Sequence, residues 1–558
     1  MSHAMFERHR KTLDAAVEAL GRRTYWSAYP ETPSGKIYGE SAKDEGAAAF
    51  QRRLNGTFDL DQPGTLGTVG SESSPYGLNL NIRYPKADLT VLLRAAQAAM
   101  PRWRDAGPEA RLGVCLEILA RLNRRSFELA NAVMHTTGQA YMMAFQAGGP
   151  HAQDRGLEAV AYAWQEMTRT PASVAWRKQV GKTEADVVQL EKRYRVLPRG
   201  VATVIGCSTF PTWNGYPGLF ASLATGNAVV VKPHPGAVLP LAISVEVCRE
   251  VLREAGFDAN LVTLAADTHD APITRELVTR PEIAIVDYTG GSAFGSWIEQ
   301  HARHALVFTE KAGVNSTIID SVRDLKAVAS NLAFSICLYS GQMCTRPQNV
   351  FIPRGGLRVG SERVGFEEAA RAIVGAVDGL LGDPRRAVEV LGAIQNEATL
   401  RRIEQAAGEG AAALRPSSSV PHEAFPNARV RSPLILRVSS ADRRLFAREM
   451  FGPIVYIVET DDTRQSVELA AGLAQEHGAI TCGVYSTEAE TLAAAEEALM
   501  LAGAAVSCNL VGPIWINQAA AFSDFHVSGA NPAGNATLCD AAFVAGRFRV
   551  VQSRRLVQ

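Results

Sequence analysis

Val201-Ala202-Thr203-Val204-Ile205 and Ala228-Val229-Val230-Val231-Lys232 are short apolar runs rich in β-branched residues, with a helix-like stretch, Gly215 to Ala224, between them. Runs that are apolar on both faces suit strands buried on both sides, as in parallel sheets. The rhythm continues: Leu239 to Ala255 reads as helix, Leu261 to Leu264 and Ile283 to Asp287 as strands. Strands alternating with helices predict a doubly wound, mostly parallel sheet that binds ligands at its strand C-terminal ends. A second α/β unit follows. Its helix Phe366 to Leu381 stops at Gly382-Asp383-Pro384, and a Pro- and Ser-rich loop spans Pro416 to Pro433. Strand Ile454 to Val458, helix Thr463 to Gln475 and strand Ile480 to Tyr485 complete it.

Upstream of Val201, two helical stripes stand out: Leu89, Leu92, Leu93 and Ala96, then Leu112, Cys115, Leu116, Leu119 and Leu122. Val187, Val188, Leu190 and Tyr194 alternate with polar residues and read as a strand. Residues 1–80 open with a helical segment, Arg8 to Leu20, followed by Gly/Pro/Ser-rich sequence carrying Tyr25, Trp26, Tyr29, Tyr38 and Tyr76. Those aromatics predict an extension packed on the body.

At 558 residues the chain is long enough for more than one core. Its 57 basic and 57 acidic side chains cancel, so no general attraction to nucleic acid or anionic membrane follows. The first ten residues are polar, with no signal-peptide core, and no run of about twenty apolar residues occurs; the cytoplasm is the expected compartment. Eight scattered cysteines without a CxxC pair argue against a disulfide framework and a zinc site. Cys337 and Cys344 fit one helix face but lack metal-ligand spacing, and His301 with His304 reads as a solvated helix face. No metal is expected.

The chemistry centres on Ser340-Gly341-Gln342-Met343-Cys344-Thr345, read with Phe308-Thr309-Glu310-Lys311-Ala312-Gly313. A cysteine thiolate is an effective covalent nucleophile, and a nearby glutamate can activate water to hydrolyse a thioester. The glycine ahead of Cys344 permits a tight turn that brings amide N–H groups and sulfur to one spot. The Cys344–Glu310 pair and three further motifs together resemble the aldehyde dehydrogenase superfamily from about Asp88 to near the C-terminus. The motifs are Val229-Val230-Val231-Lys232-Pro233, Tyr288-Thr289-Gly290-Gly291 and Glu449-Met450-Phe451-Gly452-Pro453.

That resemblance implies an aldehyde dehydrogenase-like α/β fold: a doubly wound parallel-sheet cofactor domain (81–308), an α/β catalytic domain (309–508) and a C-terminal segment (509–558). A small oligomerisation arm near 180–196 and a C-terminal oligomerisation strand over the run Phe543 to Val551 imply a homodimer or dimer of dimers. Cys344 is then the nucleophile and Glu310 the base. Lys232 binds the adenosine ribose, Gly290, Gly291 and Gly295 form the turn into a helix near Ser292 that receives the pyrophosphate, Glu449 takes the nicotinamide ribose and Phe451 the ring. The run Lys232-Pro233-His234-Pro235 lacks the carboxylate that favours NAD in relatives, so NADP is preferred over NAD. Thr209 stands where the superfamily usually places an oxyanion-binding asparagine, with Asn214 as a substitute donor. The expected reaction is NAD(P)-dependent oxidation of an aldehyde to an acid. The substrate implied by the branch it most resembles, that of phenylacetic acid degradation, is a ring-cleavage semialdehyde carried as a coenzyme A thioester. The alternatives are a coenzyme A-acylating dehydrogenase and a catalytically weak binding subunit of the same fold.

Overall fold

The computed structural model describes residues 2–557 apart from Ala312 and the side chain of Glu184. Five strands, all parallel, form the first sheet in the order Val262–Leu264, Ala228–Lys232, Val201–Ile205, Ile283–Gly290, Leu306–Lys311. Val201–Ile205 and Ala228–Lys232 are buried at every position, as runs with no polar face require. The chain builds outward from Val201–Ile205 in one direction, then returns to its other side at Ile283. That reversal opens a crevice at the C-terminal ends of the two central strands. The helix between the first two strands begins at Pro211, earlier than the predicted Gly215, because a proline suits the first helical turn.

Glu310 lies on Leu306–Lys311, the last strand of this first sheet. The boundary expected between 308 and 309 therefore falls inside a strand, and the chain enters the second unit only after Lys311. The second sheet has seven strands, ordered Ala412–Arg415, Leu434–Ser439, Ile454–Thr460, Asn349–Pro353, Ser316–Ile319, Thr481–Tyr485, Ala505–Cys508. Its pairs are parallel except at the Ala412–Arg415 edge. Helix Leu325–Cys337 packs on helix Phe366–Leu381 through Leu332, Ala333 and Ile336 against Ala369, Ala370 and Ile373.

Strands Ser173–Gln179 and Val187–Pro198 form the arm, and the C-terminal strand Phe548–Leu556 pairs antiparallel with Val187–Pro198 of the same chain. The expected strand over Phe543 to Val551 is corrected: Ala541–Ala545 is a helical turn, capped by the Asp540 carboxylate accepting from Phe543 N–H. Between the two, Arg547 is fully buried and forms a two-pronged pair with Asp287 (Nη1–Oδ2 2.7 Å, Nη2–Oδ1 2.5 Å).

The N-terminal helix, Ser2–Arg22, lies on helix Gly107–Arg124, where Arg8 and His9 donate to Glu117 at 3.0 and 2.8 Å. The side chain of Gln62 covers the edge of the first sheet: its Nε2 donates to Leu264 O (2.8 Å) and its Oε1 accepts from Leu264 N–H (2.9 Å).

Candidate active site

Cys344 is presented by a strained turn. Helix Leu325–Cys337 ends, and Tyr339, Ser340 and Gly341 then take left-handed backbone angles (φ 53°, 48° and 62°). Cys337 stays on the helix while Cys344 lies beyond the kink, so the two do not share a helix face. Left-handed angles are costly for residues other than glycine and persist only where surroundings hold them. Here the Tyr339 hydroxyl donates to Thr137 O, Ser340 Oγ to Leu391 O (3.0 Å), and Gln342 Nε2 to Ala393 O (3.0 Å). Gly341 is required on space as well: a Cβ would sit 2.7 Å from Gly452 O. After the turn, Asn315 Nδ2, from just before strand Ser316–Ile319, donates to Cys344 O (2.7 Å) and fixes the backbone that carries the thiol.

Glu310, thirty-four residues earlier in sequence, meets this thiol. Its carboxylate is buried and fully occupied: Asn214 Nδ2 donates to Oε2 (2.6 Å), Thr289 Oγ1 to Oε2 (3.3 Å), and His526 Nε2 lies 2.7 Å from Oε1. The same His526 nitrogen is 3.6 Å from Cys344 Sγ. Burial alone would raise the Glu310 carboxyl, but His526, Asn214 and the Cys344 thiol outweigh it and hold it below its ordinary value. Burial, and next the Glu310 charge, push the Cys344 thiol well above its ordinary value. The resting pair is therefore thiol beside carboxylate.

No sequence pattern singled out His526. It stands in the 509–540 segment, 182 residues from Cys344. Its ring is set edge-on against Trp213, with centroids 4.7 Å apart, and the Arg155 guanidinium lies over Trp213 at 4.8 Å. Fully buried Arg155 also donates to the carbonyls of Ala519, Asp524 and Leu538, so one side chain gathers the loop that delivers the histidine.

A cavity of about 430 Å³ opens on Cys344 and Glu310. It runs over Thr209 and Asn214 to Lys232, and is walled by Gly290, Gly291, Glu449 and Phe451. A dinucleotide fits this chemistry. Gly291 precedes helix Ser292–His301, and a Cβ there would meet nothing within 4 Å, so an anion can approach the first-turn amides. Gly295 does not line the cavity; its missing side chain lets the helix pack on Lys311 and Tyr288, which a Cβ would meet at 2.7 and 3.0 Å. Burial pushes the Glu449 carboxyl up to about 7 against the opposing pull of Arg346 and Arg402. Arg402 Nη1 donates to Phe451 O at 2.6 Å, fixing the backbone of the Glu449–Phe451 turn. Thr209 is held by its carbonyl, which accepts from Gln139 Nε2 (2.8 Å), and its hydroxyl lies 4.0 Å from Cys207 Sγ. Asn214 is turned onto Glu310.

At the Lys232 end of the cavity the structure adds a group absent from the Lys232–Pro235 run. Asp267, from the loop after Val262–Leu264, places Oδ1 2.7 Å from Lys232 Nζ, with both side chains 2% exposed. Lys232 thus enters the site already neutralised. Neighbouring His234 is pushed down to about 3, by burial first and then by His269 and Lys232, and carries no charge.

The sequence model of the aldehyde dehydrogenase family matches residues 83–536. A solved NAD-dependent aldehyde dehydrogenase from Burkholderia multivorans is 57% identical, with a TM-score of 0.98 and the whole of both chains covered. The 1-pyrroline-5-carboxylate dehydrogenase of Bacillus licheniformis is 23% identical over 83% of this chain and 82% of its own length. The Thermus 1-pyrroline-5-carboxylate dehydrogenase with bound NAD shares the fold at 19% identity, with a TM-score of 0.74 over 95% of this chain and 99% of that one. Among the described residues, no helix is long and apolar enough to cross a membrane. With the Cys344–Glu310 pair, the two-sheet architecture and the dinucleotide-shaped crevice in place, this chain belongs to the aldehyde dehydrogenase family, the NAD(P)-dependent oxidoreductases that oxidise aldehydes.

Proposed function

We propose that Cys344 adds to an aldehyde carbonyl to give a thiohemiacetal, that this would become a thioester by giving up hydride to the acceptor a bound dinucleotide supplies, that water activated at Glu310 hydrolyses the thioester, and that NAD is the favoured cofactor. The observation that carries the reading is the buried Cys344–Glu310–His526 cluster opening on a dinucleotide-sized crevice. Glu310 accepts the Cys344 proton as sulfur attacks; the Cys344 backbone N–H and the Thr209 hydroxyl face the growing oxyanion. Lys232, the first-turn amides after Gly291, Glu449 and Phe451 hold the dinucleotide, which when bound supplies the hydride acceptor. Glu310 passes the Cys344 proton to solvent through the crevice and, ionised again, takes a proton from the attacking water. A carboxylate held below its ordinary value is a weak base, so its contribution is one of position, and Asn214 and His526 provide that position.

The NADP preference expected from sequence rested on a missing carboxylate beside Lys232. Asp267 supplies one, and neutral His234 offers no charge to a 2′-phosphate. Both favour the diphosphate cofactor without the extra anion.

For the substrate, Gly206-Cys207-Ser208-Thr209-Phe210-Pro211-Thr212-Trp213-Asn214-Gly215-Tyr216-Pro217 with Thr309-Glu310-Lys311-Ala312-Gly313-Val314-Asn315 resembles the phenylacetic acid degradation protein PaaN. That likeness favours a ring-cleavage semialdehyde carried as a coenzyme A thioester. Retention of Glu310 favours hydrolysis over acyl transfer to coenzyme A. The exposed C-terminal strand, with Val550, Val551 and Leu556 open, favours at least a homodimer that covers it. An aldehyde screen with NAD and NADP, with and without coenzyme A, tests the chemistry. Free acid and NADH formed without coenzyme A are expected, together with their loss in Cys344→Ala. Strict dependence on coenzyme A would overturn hydrolysis.

A further inference from the structure

We propose that Cys344, His526 and Glu310 form a reversible binding site for a divalent zinc-like cation, which blocks the nucleophile. The inference rests on Cys344 being the nucleophile only for its consequence, not for its geometry. Their donor atoms all lie within 4.8 Å of one another. Thiolate, imidazole and carboxylate are the donor set zinc prefers. The Sγ–Nε2 distance of 3.6 Å matches the edge of a tetrahedron built on zinc–sulfur and zinc–nitrogen bonds of about 2.3 and 2.0 Å. The Nε2–Oε1 pair, now a 2.7 Å hydrogen bond, opens to about 3.3 Å to admit the ion at such bond lengths. The frame favours that small change. Asn214 and Thr289 both donate to Oε2, leaving Oε1 as the ligand atom, and Trp213 fixes the imidazole. The fourth position faces the crevice, where water or an anion completes the shell.

The site is built for exchange, not for a resident metal. A ligating histidine normally donates its second N–H to an acceptor, and that support is worth about 10- to 100-fold in affinity. His526 Nδ1 is buried with no hydrogen-bond partner among the described residues. Binding breaks the Cys344 S–H bond, releases that proton to solvent and forms a sulfur–metal bond; the proton on the His526 ring moves to Nδ1, and nothing is oxidised or reduced. Since thiol and carboxylate are the groups the reaction needs, occupancy and turnover exclude one another.

The test uses full-length enzyme freed of metal, titrated with Co²⁺ and followed by its thiolate-to-cobalt absorbance. One equivalent is expected to bind with one proton released, and Zn²⁺ is expected to displace it. Cys344→Ser should abolish the band, His526→Ala should weaken binding about tenfold or more, and Cys207→Ser should change neither. Should His526→Ala fail to fold, protection of Cys344 from alkylation by Zn²⁺ in the wild type replaces it. No band, a band surviving Cys344→Ser, affinity unchanged in His526→Ala, or alkylation undiminished by Zn²⁺ would overturn the site. The spectrum is independent of turnover: binding without aldehyde oxidation would refute the proposed reaction alone, and oxidation without binding would refute this site alone.

Discussion

His526→Ala isolates a contact beside Cys344 and Glu310 that the sequence did not announce. The substitution removes the donor 2.7 Å from Glu310 Oε1 and leaves Asn214 and Thr289 on the other oxygen. A hydrogen bond to a charged group contributes about 1.5–3 kcal/mol. If that stabilisation serves to hold the carboxylate for water activation, steady-state turnover should fall about 10- to 150-fold, at 1.4 kcal/mol per factor of ten. The first burst of reduced cofactor should keep its full amplitude and slow only as far as Glu310 is less well placed to take the Cys344 proton, whereas the water-dependent step carries the full loss. His526→Gln, whose amide can donate to the same oxygen, should recover part of the loss. A merely structural role would instead lower burst amplitude and turnover together, as a smaller active fraction. Rapid-mixing measurement of burst and steady state on the three proteins separates these outcomes. An alanine variant within twofold of wild type in both phases would refute the reasoning.

With the Glu449 carboxyl pushed up to about 7, a cofactor that requires its ionised form should bind about tenfold tighter at pH 8 than at pH 6; titration calorimetry on wild type and Glu449→Gln should show the dependence only in the former. Asp267→Asn should free the Lys232 charge and move preference toward NADP, read as the ratio of the two dissociation constants; an unchanged ratio would remove Asp267 from the argument for NAD. Asp154, buried and bonded to Ser27 and Ala28 of the N-terminal extension, is pushed up to about 7, chiefly by burial. Its folded form holds a proton the unfolded chain gives up, so it favours folding below about pH 4 and loses that contribution as pH rises through about 7; Asp154→Asn should flatten the fall in melting temperature over that range.

The parallel sheet was legible because both central strands are apolar on every residue, a pattern that few other environments accommodate. Glu310 and Cys344 were legible because each stands in a short motif whose neighbours have local tasks: Gly341 must pass under Gly452 O, and Gln342 must reach Ala393 O. His526 and Asp267 were not, for a shared reason. Each arrives from a loop far along the chain and depends on long-range clamps, Arg155 gathering three carbonyls in one case and a single ion pair in the other. Such placement leaves no periodic or motif trace. The misread run Phe543 to Val551 failed differently. Its apolar side chains fit a helical turn and a strand equally well, and the Asp540 cap together with the buried Arg547–Asp287 pair decides between them.

The N-terminal extension acquires a physical task from two of its polar residues. Helix Leu239–Glu254 begins directly after the loop that follows Lys232 and carries His234 and Pro235, and its own cap position, Val238, offers no side-chain acceptor. Glu72 supplies one from 167 residues away, accepting from the N–H groups of Val238 and Leu239 (3.0 Å to Leu239) and from the Tyr84 hydroxyl. Burial raises its carboxyl despite those donors, so the group is kept in place at a cost that only a filled set of hydrogen bonds offsets. Gln62 does the equivalent for the strand edge at Leu264, three residues before Asp267. Both contacts brace the two loops that bring Lys232 and Asp267 together. The extension expected to pack on the body is thereby tied to the Lys232 end of the crevice, although it contributes none of the side chains that wall it.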